Sequence, residues 1–131
     1  MTMFQKILLF VFCISLSAAA FAQDAAAVDS AKNELAKAKT AADKVISLDK
    51  LSRMLMNVNL QEAEQYGKQL IEVAEESRDR ELMVKAYLSN GIRCSYWAGN
   101  MDYTSKANGF YNKALSLAKE NKLDKYVVSI L

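Results

Sequence analysis

The stretch AEQYGKQLIEVAEE, residues 63–76, recurs as ANGFYNKALSLAKE, residues 107–120, with the second copy beginning 44 residues after the first. Small, polar, aromatic and apolar positions follow one another in the same order in both. Each copy places its apolar residues at helical steps, so each is an amphipathic helix with one face to bury. A chain that writes the same face twice, one domain-fraction apart, is constrained to build the same interface twice. The 131 residues contain no proline and only four glycines, so polar caps and short turns alone interrupt the helices. The expected fold class is all-α.

From Asp43 the periodicity is strong. Val45, Leu48, Leu51, Leu55 and Val58 recur at steps of three and four, with Met54 widening the stripe, which predicts a helix over 43–57. Asn59 precedes Glu62 by three residues, a capping-box arrangement that opens a second helix, with Leu60, Ala63, Tyr66, Leu70, Val73 and Ala74 inward. The short connection makes the two antiparallel. Asp79 opens a third helix carrying Leu82, Met83, Ala86, Tyr87, Gly91, Cys94 and Trp97 on its inner side. A loop over 99–102 leads to a fourth helix over 104–120, which Asn121 is expected to close in a left-handed conformation, and Asp124 starts a further segment. Two hairpins, 43–77 and 80–120, and the start of a third at 124–131 describe a helical solenoid, in which each hairpin buries its apolar face on the next.

The N-terminus is of another kind. One lysine, an apolar run from Ile7 to Leu16 and the small-residue pattern Ala20-Phe21-Ala22 read as a signal peptide over 1–22. The apolar run is too short to be a comfortable permanent span, and Phe10, Val11 and Phe12 before Cys13 speak against a lipid anchor. Residues 23–42 are an alanine-rich leader, expected to be a helix starting near Ser30 with frayed ends. Cleavage leaves one domain, no stable membrane span, and Cys94 as the remaining cysteine, so stability comes from packing without an internal disulfide.

Composition removes several functions. Loss of Lys6 takes the formal charge from +2 to +1, which gives no reason to expect nucleic acid. The absence of histidine removes the commonest general base and metal ligand together. Glu75, Glu76, Arg78, Asp79, Arg80 and Glu81 cluster at a hairpin turn and read as a solvated charged face rather than acid/base machinery. The chain is expected to be no enzyme and to need no cofactor.

The second hairpin resembles the tetratricopeptide repeat. That family places a small residue in its first helix and Ala, a bulky aromatic and Ala in its second; Gly91, Ala107, Tyr111 and Ala114 fit those places, with Phe110 and Leu115 in support. In the first hairpin Ser52, Ala63 and Leu70 match more loosely, Gly67 standing where the aromatic belongs. The loop before Ala107 is longer than the family's, and the proline that often ends a unit is missing. The order of parts is similar to the extracytoplasmic N-terminal region of bacterial signalling proteins, where such repeats precede a membrane helix and a histidine kinase, nucleotide cyclase or DNA-binding output. The resemblance implies an exported, periplasmic module of a Gram-negative bacterium that mediates protein–protein or peptide interaction, or alternatively the sensor region of a longer signalling protein.

It also implies where a partner sits. The family's groove is lined by the first helix of each hairpin, which maps to Asp49, Arg53 and Asn57 and to Leu88, Ile92 and Ser95, with Tyr96 exposed beside them. Leu88 and Ile92 do not supply the polar set that clamps a terminal carboxylate, so a mixed apolar groove for an amphipathic segment is expected. Gly91 and Cys94 are expected to serve packing. Val127, Val128 and Leu131 are expected to form an uncovered apolar face that meets further repeats or a second copy.

Overall fold

The computed structural model describes residues 1–97 and 99–130, and for residues 7–23 the backbone alone. The side chains of the run Ile7 to Leu16, of Cys13 and of the Ala20 to Ala22 pattern therefore lie outside the described residues, as does Leu131. The described chain is helical throughout: α1 (Met3–Lys37), α2 (Ala41–Leu55), α3 (Leu60–Ser77), α4 (Arg80–Ser95), α5 (Met101–Glu120) and α6 (Asp124–Ile130). No helix among the described residues is long and apolar enough to cross a membrane.

Side-chain caps set most of these boundaries by satisfying amide groups that the first helical turn leaves without partners. Thr40 Oγ1 accepts from the Asp43 amide at 3.1 Å, Asp79 accepts from the amides of Glu81 and Leu82, and Asn100 accepts from Asp102 at 2.9 Å. The Asn100 cap starts α5 three residues before the expected 104. Asn59 opens α3, its Oδ1 accepting from the Glu62 amide at 3.2 Å. The return half of the expected capping box is replaced: Asn59 Nδ2 donates to Glu62, while the Asn59 amide goes to the Leu55 carbonyl. The helix expected to start near Ser30 is the C-terminal part of the continuous α1. Asn121 is not left-handed; Lys122 is, at φ 55°, as is Arg78 after α3 at φ 56°.

Consecutive helices pack antiparallel. Ser52 Oγ donates to the Ala63 carbonyl at 3.0 Å across α2 and α3. Val45 and Leu48 meet Leu70 and Ala74 further along the same pair. Lys32 pairs with Glu62, and Lys50 with Glu34, each at 2.8 Å, holding α1 against the first hairpin. The core falls into two clusters on opposite sides of α4. Leu82 and Ala86 join Val45, Leu48, Leu70 and Ala74 on one side. Val84 and Tyr87 join Ala114 and Ala118 of α5 on the other, covered by Leu123, Tyr126, Val127 and Ile130. Val127 is thus half-buried against the α4–α5 pair rather than part of an open face; its neighbour Val128 is exposed.

Because α4 is packed nearly all round, it buries polar groups that a one-sided pattern does not anticipate. Ser89, Asn90 and Arg93 are buried, Arg93 being only 5 % exposed. Asn90 Nδ2 donates to the carbonyls of Gly67 and Ala86, each at 3.0 Å, and Asn90 Oδ1 accepts from Arg93 Nη2 at 3.0 Å. Gly67 makes this feasible: a Cβ there would stand 2.5 Å from Asn90 Oδ1 and 3.1 Å from Arg93 Nη2. Gly67, read from sequence as a gap in an aromatic position, is a space that Asn90 and Arg93 fill. Gly91 does the same on the opposite side, where a Cβ would stand 2.8 Å from the Tyr111 ring. Cys94 is buried beside it, and burial raises its thiol pKa, the state of an inert packing residue.

The last helix is tied to α4 by one carboxylate. Glu81 accepts from Lys125 Nζ and from the Tyr126 hydroxyl, each at 2.8 Å, with Lys85 at 3.4 Å. The Lys125 hydrogen bond, then that of Tyr126, holds the Glu81 carboxyl down at about 2.

Two outcomes follow from this packing. Gly91→Ala is expected to lower stability by roughly 1–2 kcal/mol, since overpacking against Tyr111 outweighs the helix-propensity gain. In a Tyr111→Ala background the same change is expected to be neutral or stabilising, which a double-mutant cycle by chemical denaturation measures. For Glu81, a folded-state pKa below the ordinary carboxyl value means its stabilisation is complete above that ordinary value and is lost as pH falls toward about 2. Thermal melts over that range should show wild type above Glu81→Gln at neutral pH and the gap closing in acid.

Candidate functional site

Alternate helices also touch, and this produces a groove. Asp49 of α2 accepts a hydrogen bond from Ser89 Oγ of α4, drawing the two helices together in front of α3. Beside that contact lies a cleft of about 190 Å³ lined by Ile46, Asp49 and Arg53 from α2 and Lys85, Leu88, Ser89 and Ile92 from α4, with Val45 and Leu70 beneath. The lining residues recur at helical steps: 46, 49 and 53 on one wall, and 85, 88, 89 and 92 on the other. Each wall is one face of one helix.

Its chemistry is mixed. Ile46 is 67 % exposed, a large apolar side chain held in solvent at the lip, and the Leu88 and Ile92 side chains are half-buried opposite it. Arg53 Nε donates to Asp49 Oδ1 at 3.0 Å, so Asp49 is engaged by both walls and contributes little free negative charge. Lys85 stands over the other end, and its partner Glu81 is shared with Lys125 and Tyr126. A cleft of this volume falls below the roughly 300–1,000 Å³ of pockets that enclose a small ligand. It suits one or two apolar side chains of a polypeptide flanked by charge.

Of the groove residues expected from sequence, Asp49, Arg53, Leu88 and Ile92 come together here. Asn57, Ser95 and Tyr96 do not. Because α2 ends at Leu55, Asn57 lies on the following turn, where it lines a second and wider cleft with Asp24, Ala25, Val28, Met54 and Val58. Ser95 Oγ donates to the Ile92 carbonyl at 2.7 Å, and Tyr96 caps α4 out on the turn. Ile46, Lys85 and Ser89 were missed, although each lies one turn before a residue that was expected. The signal was available in the periodicity: the groove is one helical turn nearer the N-termini of α2 and α4 than expected.

The expected packing residues are placed as follows. Ser52 bonds Ala63, Leu70 lies in the first core cluster and beneath the groove, and Gly91 faces Tyr111. Ala107 and Ala114 are buried, Ala114 beside Val84 and Tyr87. Tyr87, stacked on Phe110 with ring centres 6.4 Å apart, donates to Glu75, and burial followed by that carboxylate pushes its hydroxyl up to about 12. Among the described residues no group of three or more His, Cys, Asp or Glu side chains is placed to hold a metal ion.

No family model matches the chain, and neither a curated protein nor a solved structure matches it.

Proposed function

We propose that the chain is an exported, non-enzymatic helical-repeat module of the tetratricopeptide kind, whose task is to hold a segment of protein or peptide in the groove between α2 and α4. The observation that carries this reading is the groove itself, with Ile46 exposed opposite Leu88 and Ile92, the Arg53–Asp49 pair at one end and Lys85 at the other. Amphipathic helices enter such grooves through apolar residues at helical spacing. An acidic residue of such a segment meets Lys85.

The repeat reading is supported by backbone as well as by sequence. Arg78 and Lys122, the two left-handed residues among those described, stand 44 residues apart, which is the offset of the repeated stretch. The ties between alternate helices recur at similar separations, 40 residues from Asp49 to Ser89 and 44 from Glu81 to Lys125. The export reading rests on the N-terminal sequence, and the assignment to binding rather than catalysis rests on the lack of histidine in the sequence.

The test uses a panel of amphipathic helical peptides that differ in the charge of their polar face, titrated into the chain and followed by amide chemical shifts. Acidic-faced peptides are expected to move signals of residues 46–53 and 85–92. Ile46→Glu and Ile92→Glu are expected to weaken binding by tenfold or more, about 1.4 kcal/mol, with the thermal melt of Ile46→Glu unchanged. Shifts elsewhere, or indifference to Ile46→Glu, would overturn the reading.

A further inference from the structure

The two walls of the groove divide their charge differently. In α2, Asp49 stands four residues before Arg53; in α4, Glu81 stands four residues before Lys85. Each acid is also reached from the next helix but one. Asp49 Oδ1 accepts from Ser89 Oγ of α4, and Glu81 Oε1 accepts from Lys125 Nζ and the Tyr126 hydroxyl of α6. What arrives differs in kind. Ser89 brings a neutral hydroxyl, and Asp49 still holds its own cation, Arg53 Nε donating to it at 3.0 Å. Lys125 brings an ammonium and Tyr126 a phenol, both at 2.8 Å, while Lys85 Nζ stands back from the same oxygen at 3.4 Å. An ammonium competes for the charge of a carboxylate where a serine hydroxyl does not. The Lys125 hydrogen bond, then that of Tyr126, keep the Glu81 carboxyl at about 2, and Lys85 adds less than either.

On the reading of the groove as a peptide site, we infer that Glu81, Lys125 and Tyr126 determine which segments it takes. By drawing Glu81 away from Lys85, α6 leaves that ammonium loosely held and biases the groove toward a segment with an acidic residue beside its apolar side chains. Of these four residues Lys85 alone lines the groove, so the other three are positioning residues that act through it. The seat of α6 is light: the helix carries no buried residue, and Tyr126, Val127 and Ile130 are half-buried against the α4–α5 cluster. Glu81 thus links how α6 is seated to the charge that a ligand meets.

The first readout needs no peptide. Lysines of the full chain are dimethylated with 13C-formaldehyde, which leaves each amine its charge, and the Lys85 signal is assigned by its loss in Lys85→Arg. Lys125→Met and Tyr126→Phe are expected to shift that signal as Glu81 closes on Lys85, and Lys125→Arg to leave it near its wild-type position. Helical peptides that share one apolar pair and carry either Glu or Gln beside it are then titrated into the same unmethylated variants. Wild type is expected to prefer the Glu peptide by roughly two- to threefold, the scale of one half-exposed ion pair, and less in high salt. Lys125→Met is expected to lose the preference, Lys125→Arg to keep it, and Glu81→Gln to increase it. Peptides that bind outside residues 46–53 and 85–92, or fail to bind, refute the groove reading itself. Two results refute the role of α6 with the groove intact: a Lys85 signal indifferent to Lys125→Met, or a Glu preference that Lys125→Met lowers just as much in the Glu81→Gln background.

Discussion

The close approach of α4 to its neighbours is what the rest of the structure depends on. Two glycines permit it, Gly67 from α3 on one side and Gly91 within α4 on the other, and in each case a methyl group would collide with a neighbouring side chain. A glycine inside a helix costs about 1 kcal/mol against alanine, a cost that only a tight contact offsets. Here the contacts are the Tyr111 ring and the Asn90–Arg93 pair. With α4 seated this deeply, the two core clusters share one helix as their common wall.

The groove is a consequence of that seating. Once α4 lies against α3, its outer face comes within hydrogen-bond reach of α2, and Ser89 closes on Asp49. Val45 and Leu70 then lie beneath a strip whose walls are α2 and α4, and Ile46 is left exposed at the lip. The same logic repeats one hairpin on, where Glu81 gathers Lys125 and Tyr126 and brings α6 beside α4. Polar contacts thus join alternate helices alongside the apolar contacts of the two clusters, which span consecutive and alternate helices alike.

Much of the helical layout was legible from periodicity and caps. Asn59 and Asp79 mark helix starts because their side chains accept from first-turn amides, and that need is visible within four residues. The left-handed position after α5 was misplaced from Lys122 onto Asn121, since asparagine has the better intrinsic tolerance and only the local geometry of the helix end selects the residue. The groove was found with the right helices and the wrong turn. Its register depends on where α2 ends and on the rotation of α4, and neither is encoded in one helix alone. The buried Asn90 and Arg93 were invisible for a related reason. A polar residue on a helix reads as solvent-facing until a third element covers it.

The sequence by itself determined that this chain is helical, where most of its helices begin, and that one amphipathic face is written twice at a spacing of 44 residues. These are matters of backbone hydrogen bonding and side-chain period, settled within a few residues of chain. Tertiary structure alone decided that α4 is enclosed, that Gly67 and Gly91 are spaces for particular side chains, that Val127 is covered while Val128 is not, and that Ile46 faces Leu88 and Ile92 across a groove. Those outcomes depend on contacts between residues 20 to 45 positions apart, whose relative placement is fixed only when several helices pack together at once.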